Sequence, residues 1–296
     1  MDFSFSQEQE ELRREARAFL EANPHAPLSA LRELGWLGVS VPEERGGGGL
    51  TFVDEAILLE EAGRALYAEP FLTTAVVLPA LAEVDEQAWS VELDGWVPNL
   101  AEVDAVLRED MTVVPAEGET LRTTDETRPL GRLKDDSVAQ SNYLLEDGFE
   151  PVRLRLLAGL ALEAVGVAQK VLELGVAYVA EREQFGKKIG TYQAVSHPLA
   201  DTYVETELAR SLAYWAAWCV AEQDERAPVA VASAKSFAAE AAVAACERAI
   251  QVHGGIGFTW EHVLHRYYKR AQWLDAFGGH AAAQRAIVAA ALLDES

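Results

Sequence analysis

The sequence predicts a mainly α-helical protein that carries a small β unit between two helical parts. Near the beginning, apolar residues recur at spacings of three and four, as at Leu12, Ala16 and Phe19, which is typical of one face of a helix. Short runs of valine broken by proline and glycine then favour strands and turns. Long alanine-rich segments with helical periodicity make up the rest of the sequence.

Residues 1–84 are predicted to form an N-terminal helical domain. Ser6 and Gln9 have the spacing of a capping box, in which two residues satisfy the free backbone amides at a helix start. A short second helix is expected to close at Gly35, and a third is expected over residues 52–66.

Four consecutive glycines, Gly46 to Gly49, lie between the second and third predicted helices. A glycine-rich loop can cradle phosphate, but that motif normally follows a strand and ends in Lys-Ser or Lys-Thr. Because the sequence shows neither feature here, it favours a turn that needs positive φ angles over a phosphate loop.

Residues 85–148 are predicted to form a reduced middle β domain. Valine and tryptophan residues in this part are interrupted by Pro98, Pro115, Gly118 and Pro129. Proline and glycine at such intervals end strands and begin turns, so short strands fit this stretch best.

Residues 149–296 are predicted to form a C-terminal four-helix bundle. Short connections between long helices favour antiparallel neighbours. Small alanine side chains also let helices approach closely, within a chain or between subunits. The four periodic segments span about residues 151–181, 192–223, 228–252 and 262–292.

Composition and charge exclude several classes of function. The formal net charge of −23 repels nucleic-acid phosphates and anionic membrane surfaces. The longest apolar run, residues 71–82, is far shorter than the roughly 20 residues that span a bilayer. Cys219 and Cys246 match neither a disulfide framework nor a metal site, and no secretory signal is recognised. The expected location is therefore the reducing cytoplasm.

Glu163 is the carboxylate that the helical pattern singles out. Leu156, Leu160 and Val167 form an apolar stripe on the first predicted bundle helix, and Glu163 falls on this stripe. Loss of solvation makes a carboxylate a stronger base, as a general base requires. The alternative is a structural role, in which a buried Glu163 pairs with an arginine or a helix-end amide.

The densest positive cluster contains Arg182, Lys187 and Lys188. A guanidinium suits bidentate contact with a phosphate or pyrophosphate, and Phe185 can face an aromatic ring. The alternative is a helix end, where cations and Gly186 satisfy the terminal carbonyl groups.

A third segment contains Gln251, Gly254 and Gly255. Glycines at a helix end permit close approach of a ligand, and the Gln251 amide offers both a donor and an acceptor. Taken alone, the segment is equally typical of a helix stop. His262 and His265 are three residues apart but lack an obvious carboxylate or cysteine partner, so no metal site is predicted.

Taken together, these segments resemble the acyl-CoA dehydrogenase family. The matching order and spacing cover most of the first and third parts of the chain. The matching stretches are Glu33-Leu34-Gly35-Trp36-Leu37-Gly38, Pro42-Glu43-Glu44-Arg45-Gly46-Gly47, Arg182–Gly190 followed by Tyr192-Gln193-Ala194, and Gln251–His262.

The resemblance implies a fold with an N-terminal helical domain, a middle β domain and a C-terminal four-helix bundle. It implies oxidation of an acyl-CoA thioester to the 2-enoyl-CoA, in which a carboxylate removes the α proton and FAD accepts a hydride from the β carbon. It further implies dimers or tetramers formed through the bundle, with an electron-transfer flavoprotein as electron acceptor.

The resemblance also implies roles for individual residues in binding FAD. Arg182 and Phe185 would hold the pyrophosphate and adenine side of a FAD that a neighbouring subunit largely binds. Gln251, Gly254 and Gly255 would line the same dinucleotide.

The sequence departs from the family in two places. The middle part is shorter, and no Thr-Glu-Pro-type segment for contact with flavin and substrate is recognised. Gly278 stands where the catalytic Glu most often lies, and Leu156 occupies the alternative position. Glu163, two helical turns after Leu156 on the same face, is therefore the best remaining carboxylate, ahead of Asp275 and His280.

Two hypotheses follow. In the first, the chain is an active FAD-dependent acyl-CoA dehydrogenase whose base is Glu163. In the second, it is a non-catalytic partner subunit that completes the FAD site of a catalytic subunit. This second arrangement resembles family members that pair short and long subunits to act on bulky steroid or branched side chains. A helical scaffold without cofactor would leave the Arg182 and Gln251 segments unexplained.

Overall fold

The computed structural model describes residues 4–134 and 148–294. Most of these residues are helical, which confirms the mainly α-helical prediction. The boundaries of the three domains stay predictions. The helices are α1 (Gln7–Ala22), α2 (Leu28–Glu33), α3 (Phe52–Arg64), α4 (Phe71–Val77), α5 (Glu150–Glu181), α6 (Gln193–Ala221), α7 (Ala227–His253), α8 (Leu264–Ala276) and α9 (Ala281–Asp294).

Local sequence signals set the first helices. The Ser6 hydroxyl accepts a hydrogen bond from the Gln9 amide at 3.2 Å, and the Gln9 side chain accepts one from the Ser6 amide at 3.0 Å. The predicted capping box is therefore confirmed. Helix α2 ends just before Gly35, which has a φ of +73°.

The glycine run forms a tight turn against the connector before it. Gly46 and Gly49 have φ angles of +85° and +67°, as the predicted turn requires. A Cβ atom added to Gly47 would lie 2.2 Å from the Val41 carbonyl oxygen. The glycines therefore serve the close packing of two backbone segments.

Among the described residues of the middle part, six short strands form two small sheets. One sheet has the order β1-β3-β4, with β1 parallel to β3, and the other is the antiparallel sheet β2-β6-β5. Strand β3 joins two cores, because Val106 packs in a small cluster with Val97 and Val114 while Ala105 and Leu107 pack with the helices. The strands are β1 (Trp89–Val91), β2 (Val97–Pro98), β3 (Ala105–Leu107), β4 (Val113–Pro115), β5 (Gly118–Leu121) and β6 (Leu130–Leu133).

The C-terminal part forms a helix bundle. The prediction of one continuous helix for its fourth segment is wrong. The segment predicted over residues 262–292 is divided into α8 and α9. Gly278 and Gly279 lie between them with φ angles of +71° and +95°, which a continuous helix does not allow. The chain therefore turns at the position that the resemblance assigns to the catalytic Glu.

Within the described residues, one helical stretch is long and apolar enough to span a membrane. It comprises α7 and the 3₁₀ turn after it, over Ala227–Phe258. In its most apolar window, 67% of the residues are buried inside the protein, which is typical of the core helix of a bundle.

Helices α3 and α5 cross through a pair of glycines. A Cβ atom added to Gly63 would lie 2.2 Å from the Glu163 carbonyl oxygen, and one added to Gly166 would lie 2.0 Å from the Glu60 carbonyl oxygen. At these two positions, the backbone of each helix thus leaves no room for a side chain on the other helix. The crossing also fixes the backbone of Glu163 against α3.

Replacing Gly166 with alanine is expected to lower the free energy of unfolding by about 1–3 kcal/mol, because the added methyl group forces the two helices apart. Urea denaturation followed by circular dichroism measures this change. Gly255→Ala is the matched control, since nothing lies within 4 Å of its added Cβ atom. Equal stability of Gly166→Ala and the native chain would show that the crossing is not tight.

Candidate functional site

The two positions that the resemblance reserves for the base are closed by apolar packing. A Cβ atom added to Gly278 would lie 2.5 Å from Leu157 Cδ2 and 3.6 Å from Leu160 Cδ1. Leu156, at the alternative position, is completely buried. Neither position therefore presents a proton acceptor to a substrate.

The two weaker carboxylate and imidazole candidates form a pair beside Gly278. His280 Nδ1 lies 2.8 Å from Asp275 Oδ2, and the His280 side chain is largely exposed. The buried Lys235 ammonium donates to the backbone carbonyls of Asp275 and Gly279 at 3.2 and 3.4 Å. Burial lowers the pKa of Lys235 to about 8, and the Asp275 carboxylate acts in the opposite direction. These contacts hold the turn between α8 and α9 in place.

Glu163 is completely buried and forms an ion pair. Arg128 Nη2 donates to Glu163 Oε1 at 2.6 Å, and neither side chain is more than 2% exposed. Arg128 comes from the segment between β5 and β6, so the pair ties the middle part of the chain to α5. A buried ion pair with an arginine is the structural alternative that the sequence left open for Glu163. The role of Glu163 as a base stays a prediction.

A second buried pair extends the first into a four-residue charge cluster of Asp125, Arg128, Glu163 and Arg270. Arg270 on α8 donates to Asp125 Oδ2 at 2.5 Å, and both side chains are buried. Burial raises the pKa of Asp125, but the Arg270 charge and the Thr127 hydrogen bonds more than offset it, so this pKa lies below its usual value. Burial, together with the nearby Arg128 charge, lowers the pKa of Arg270.

The charge cluster leaves some of its polar atoms without partners in the described residues. They are Glu163 Oε2 and Arg128 Nε. Beside the cluster, the Trp273 ring centroid lies 5.6 Å from the Arg128 guanidinium carbon, and the indole nitrogen likewise has no partner among the described residues. Sequence reasoning missed Arg128 and Arg270. The signal for Arg270 was available, because it lies on the stripe of Tyr267 and Leu274, but no periodicity marks Arg128 in its loop.

Arg182 and Phe185 lie on an exposed hairpin directly after α5. The hairpin strands are β7 (Glu183–Gln184) and β8 (Lys187–Lys188). Phe185 and Gly186 both have positive φ angles, as a two-residue hairpin turn requires, and Phe185 is 92% exposed at its tip. Among the described residues, nothing pairs with the Arg182 guanidinium. Both side chains are therefore free to contact a ligand or another chain.

Gln251, Gly254 and Gly255 lie at the end of α7. Gln251 is exposed, and Cβ atoms added to Gly254 or Gly255 would meet no atom within 4 Å. Gly254 has a φ of +63° and a ψ of −140°, a conformation that glycine adopts without strain. The backbone of this segment is therefore accessible to a ligand.

The Arg182 hairpin and the Gln251 segment lie at the same end of the bundle. Tyr178, one turn before Arg182, stacks on His253 with ring centroids 4.2 Å apart. His253 is buried and bonds the Ala249 carbonyl at 2.7 Å through Nδ1, and burial lowers its pKa. The stacked pair thus links the ends of α5 and α7, where the predicted cofactor residues meet.

The base positions lie near the other end of α5. The 25 residues from Leu157 to Arg182 correspond to about 37 Å along the helix axis, at about 1.5 Å per residue. Gly278 packs on Leu157, so it is also far from the hairpin. Within one chain, the cofactor segments and the base positions therefore do not converge.

An apolar groove adjoins the hairpin. It has a volume of about 610 Å³ and lies between α5 and α6, where Val176 and Tyr203 are 48% and 57% exposed. Lys188 and Thr191 from the hairpin region also line the groove. Its remaining lining residues are Leu172, Val179, Ala180, Gly190, Ser196, Leu199 and Ala200.

The cofactor segments suit one edge of a phosphate-bearing dinucleotide. An unpaired guanidinium at Arg182 can make charge-assisted bonds to a pyrophosphate. The bare backbone of Gly254 and Gly255 permits the close approach that a phosphate or ribose needs. These observations fit the group that the resemblance implies, FAD, without showing where its flavin ring would lie.

Comparison with known proteins identifies the family. Residues 153–293 match the acyl-CoA dehydrogenase C-terminal domain, and residues 6–88 match the acyl-CoA dehydrogenase N-terminal domain. The chain belongs to the acyl-CoA dehydrogenase family, a family of FAD-dependent oxidoreductases of lipid metabolism.

Two curated relatives come from mycobacteria. The chain is 33% identical to acyl-CoA dehydrogenase IpdE2 of Mycolicibacterium smegmatis, over 90% of this chain and 93% of the relative. It is 35% identical to acyl-CoA dehydrogenase FadE34 of Mycobacterium tuberculosis, over 88% of this chain but only 42% of that protein. The chain thus spans less than half the length of FadE34.

A solved structure confirms the fold. A chain of the ChsE4-ChsE5 complex from Mycobacterium tuberculosis superposes on this chain with a TM-score of 0.84, at 21% sequence identity, over 99% of both chains. At this identity the similarity extends to the fold alone, and it confirms the predicted acyl-CoA dehydrogenase fold.

Proposed function

We propose that this chain is a supporting subunit of a hetero-oligomeric acyl-CoA dehydrogenase. One observation carries the proposal: the accessible cofactor segments lie at one end of α5, and the closed base positions lie near the other end. A single chain of this geometry offers contacts for FAD without a base beside them. A second chain must then supply the base that removes the α proton.

In this proposal, Arg182 and Phe185 bind the pyrophosphate and adenine side of FAD, and Gln251, Gly254 and Gly255 line the same dinucleotide. When bound, FAD supplies the hydride acceptor for the β carbon of the acyl-CoA substrate. The residues of this chain position the cofactor and exclude water from its edge. An electron-transfer flavoprotein as electron acceptor, and a cytoplasmic location, stay predictions.

The apolar groove between α5 and α6 supports a subunit contact at the same end of the bundle. It exposes Val176 and Tyr203 directly beside the hairpin that carries Arg182. Burial of such a surface against a partner helix is favourable, and it would place the partner next to the cofactor segments. The ChsE4-ChsE5 complex, which pairs two different chains, provides a precedent within the fold.

The competing hypothesis is an active enzyme with Glu163 as base. One observation favours it, because Glu163 Oε2 has no partner in the described residues. Against it, Glu163 is completely buried, and its other oxygen is held by Arg128. An oxygen that accepts a hydrogen bond from a buried arginine is not free to take a proton from a substrate.

The test is to purify the chain alone and together with its partner. The chain is tagged in its source cells, and the chains that purify with it are identified by mass spectrometry. We expect an acyl-CoA dehydrogenase that carries a Glu at one of the two base positions, and we expect the pair to hold FAD when co-expressed. The isolated chain should be colourless. A homo-oligomer that retains FAD and is bleached by acyl-CoA would overturn the proposal.

A further inference from the structure

A separate cavity of about 210 Å³ lies at the beginning of α5. Arg155 from α5, Arg45 from the turn before the glycine run, and Gln223 after α6 line it. Residues 155 and 157 are about 200° apart around the helix, at about 100° per residue. The cavity therefore lies on the side of α5 opposite to Leu157 and Gly278.

The two arginines that line the cavity are only partly neutralised. Arg155 Nη1 donates to the Ser40 hydroxyl at 2.8 Å, and its nearest carboxylate oxygen, on Glu55, is 4.0 Å away. Arg45 Nη1 donates to the carbonyls of Pro79 and Leu81 at 3.0 and 2.9 Å. Among the described residues, Arg45 has no carboxylate partner. Each guanidinium therefore keeps donors for a further acceptor.

The electrostatics of the cavity favour an anion. Burial lowers the pKa of Arg155, Glu55 opposes this shift, and the positive charge of Arg45 adds to it. Glu55 is itself completely buried, and burial raises its pKa. Two facing cations in a chain of net charge −23 are an unusual local excess. An oxyanion between them would relieve their repulsion.

The shape of the cavity favours an organic anion. Its volume corresponds to about seven water molecules at about 30 Å³ each, so an inorganic ion alone would leave much of it unfilled. Apolar side chains form about half of the wall, which suits a short carbon chain. They are Pro42, Val76, Pro79, Ala80, Met111, Pro151 and Val152.

We propose that Arg45 and Arg155 form a binding site for a short-chain organic carboxylate. The carboxylate group accepts hydrogen bonds from the two guanidiniums, and the carbon chain packs against Val76 and Met111. This site is independent of the FAD segments and of the proposed role as a supporting subunit. It does not depend on which chain supplies the base.

The test is an NMR titration of the full chain with ¹³C-labelled butyrate in low-chloride buffer, compared with inorganic phosphate. We expect saturable binding of butyrate and weaker binding of phosphate. Arg45→Gln should weaken butyrate binding at least about tenfold, because a charge-assisted contact is lost. Arg153→Gln is the matched control, since Arg153 lies two residues from Arg155 on α5 but pairs with Glu150 and does not line the cavity.

Arg45→Gln is preferred to Arg155→Gln because the latter leaves Glu55 buried without its cation and can unfold the chain. Ala80→Leu is a second variant, which should weaken butyrate binding by filling the cavity while both arginines remain. Absence of saturable butyrate binding would overturn the proposal. So would phosphate binding as tight as that of butyrate, or unchanged binding in both Arg45→Gln and Ala80→Leu.

Discussion

Replacing Arg128 with methionine is expected to lower the free energy of unfolding by about 3–5 kcal/mol, because Glu163 would then be buried without its counter-charge. Methionine keeps much of the length of the arginine side chain, so the effect reports the charge more than lost volume. The loss should appear as a lower midpoint in urea denaturation. It would also loosen the middle part of the chain from α5.

Two companion variants separate the buried pair from a general effect of losing an arginine. Arg153→Met removes a partly exposed partner of Glu150, and a change below about 1 kcal/mol is expected. Combining Arg128→Met with Glu163→Leu should recover much of the lost stability, since removing both charges leaves neither unpaired. If Arg128→Met is as stable as the native chain, the buried pair does not hold the fold.

A single substitution at Glu163 tests its role as a base. In the assembled enzyme, Glu163→Gln should abolish removal of the α proton if Glu163 is the base. A supporting subunit predicts that turnover survives this substitution, with only the stability reduced. Flavin content measured on the same sample distinguishes loss of the base from loss of the cofactor.

Replacing Arg182 with alanine is expected to weaken FAD binding by the assembled oligomer by about 10-fold to 150-fold. This corresponds to about 1.5–3 kcal/mol, the typical contribution of a hydrogen bond to a charged group. The Arg182 guanidinium is exposed and makes no hydrogen bond or ion pair within the described residues, so its removal should leave the stability of the chain nearly unchanged. Flavin fluorescence during dialysis against free FAD measures the affinity.

Arg226→Ala is the matched control for Arg182. Arg226 is an exposed arginine between α6 and α7, at the opposite end of the bundle, and pairs with Asp224. We expect its replacement to leave FAD affinity unchanged. If Arg182→Ala and Arg226→Ala retain FAD equally well, Arg182 does not contact the cofactor.

Local signals predicted the parts of the fold that depend on neighbours in the sequence. The Ser6–Gln9 capping box and the turn at Gly35 need only a few adjacent residues, and both are present. The common location of the Arg182 and Gln251 segments also follows from the sequence. Two short connections reverse the chain twice, so α5 and α7 end on the same side.

The features that depend on distant residues could not be predicted in the same way. The apolar stripe predicted that Glu163 is buried, but its partner Arg128 lies 35 residues earlier in an irregular segment. The division of the last predicted helix into α8 and α9 could have been predicted from the sequence. The Gly278-Gly279 pair signals a helix end, but the prediction gave more weight to the helical periodicity of the whole segment. The cavity at Arg45 and Arg155 combines loops and helices far apart in the sequence.

The length of α5 has a consequence for stoichiometry. If each active centre takes its base from one chain and its cofactor edge from the next, a pair of identical chains offers two equivalent centres. When one chain of the pair has Gly278 and Leu156 at its base positions, only one of the two centres is complete. A heterodimer built on this helix would then carry a single working flavin for every two chains, and its other centre would be free to diverge.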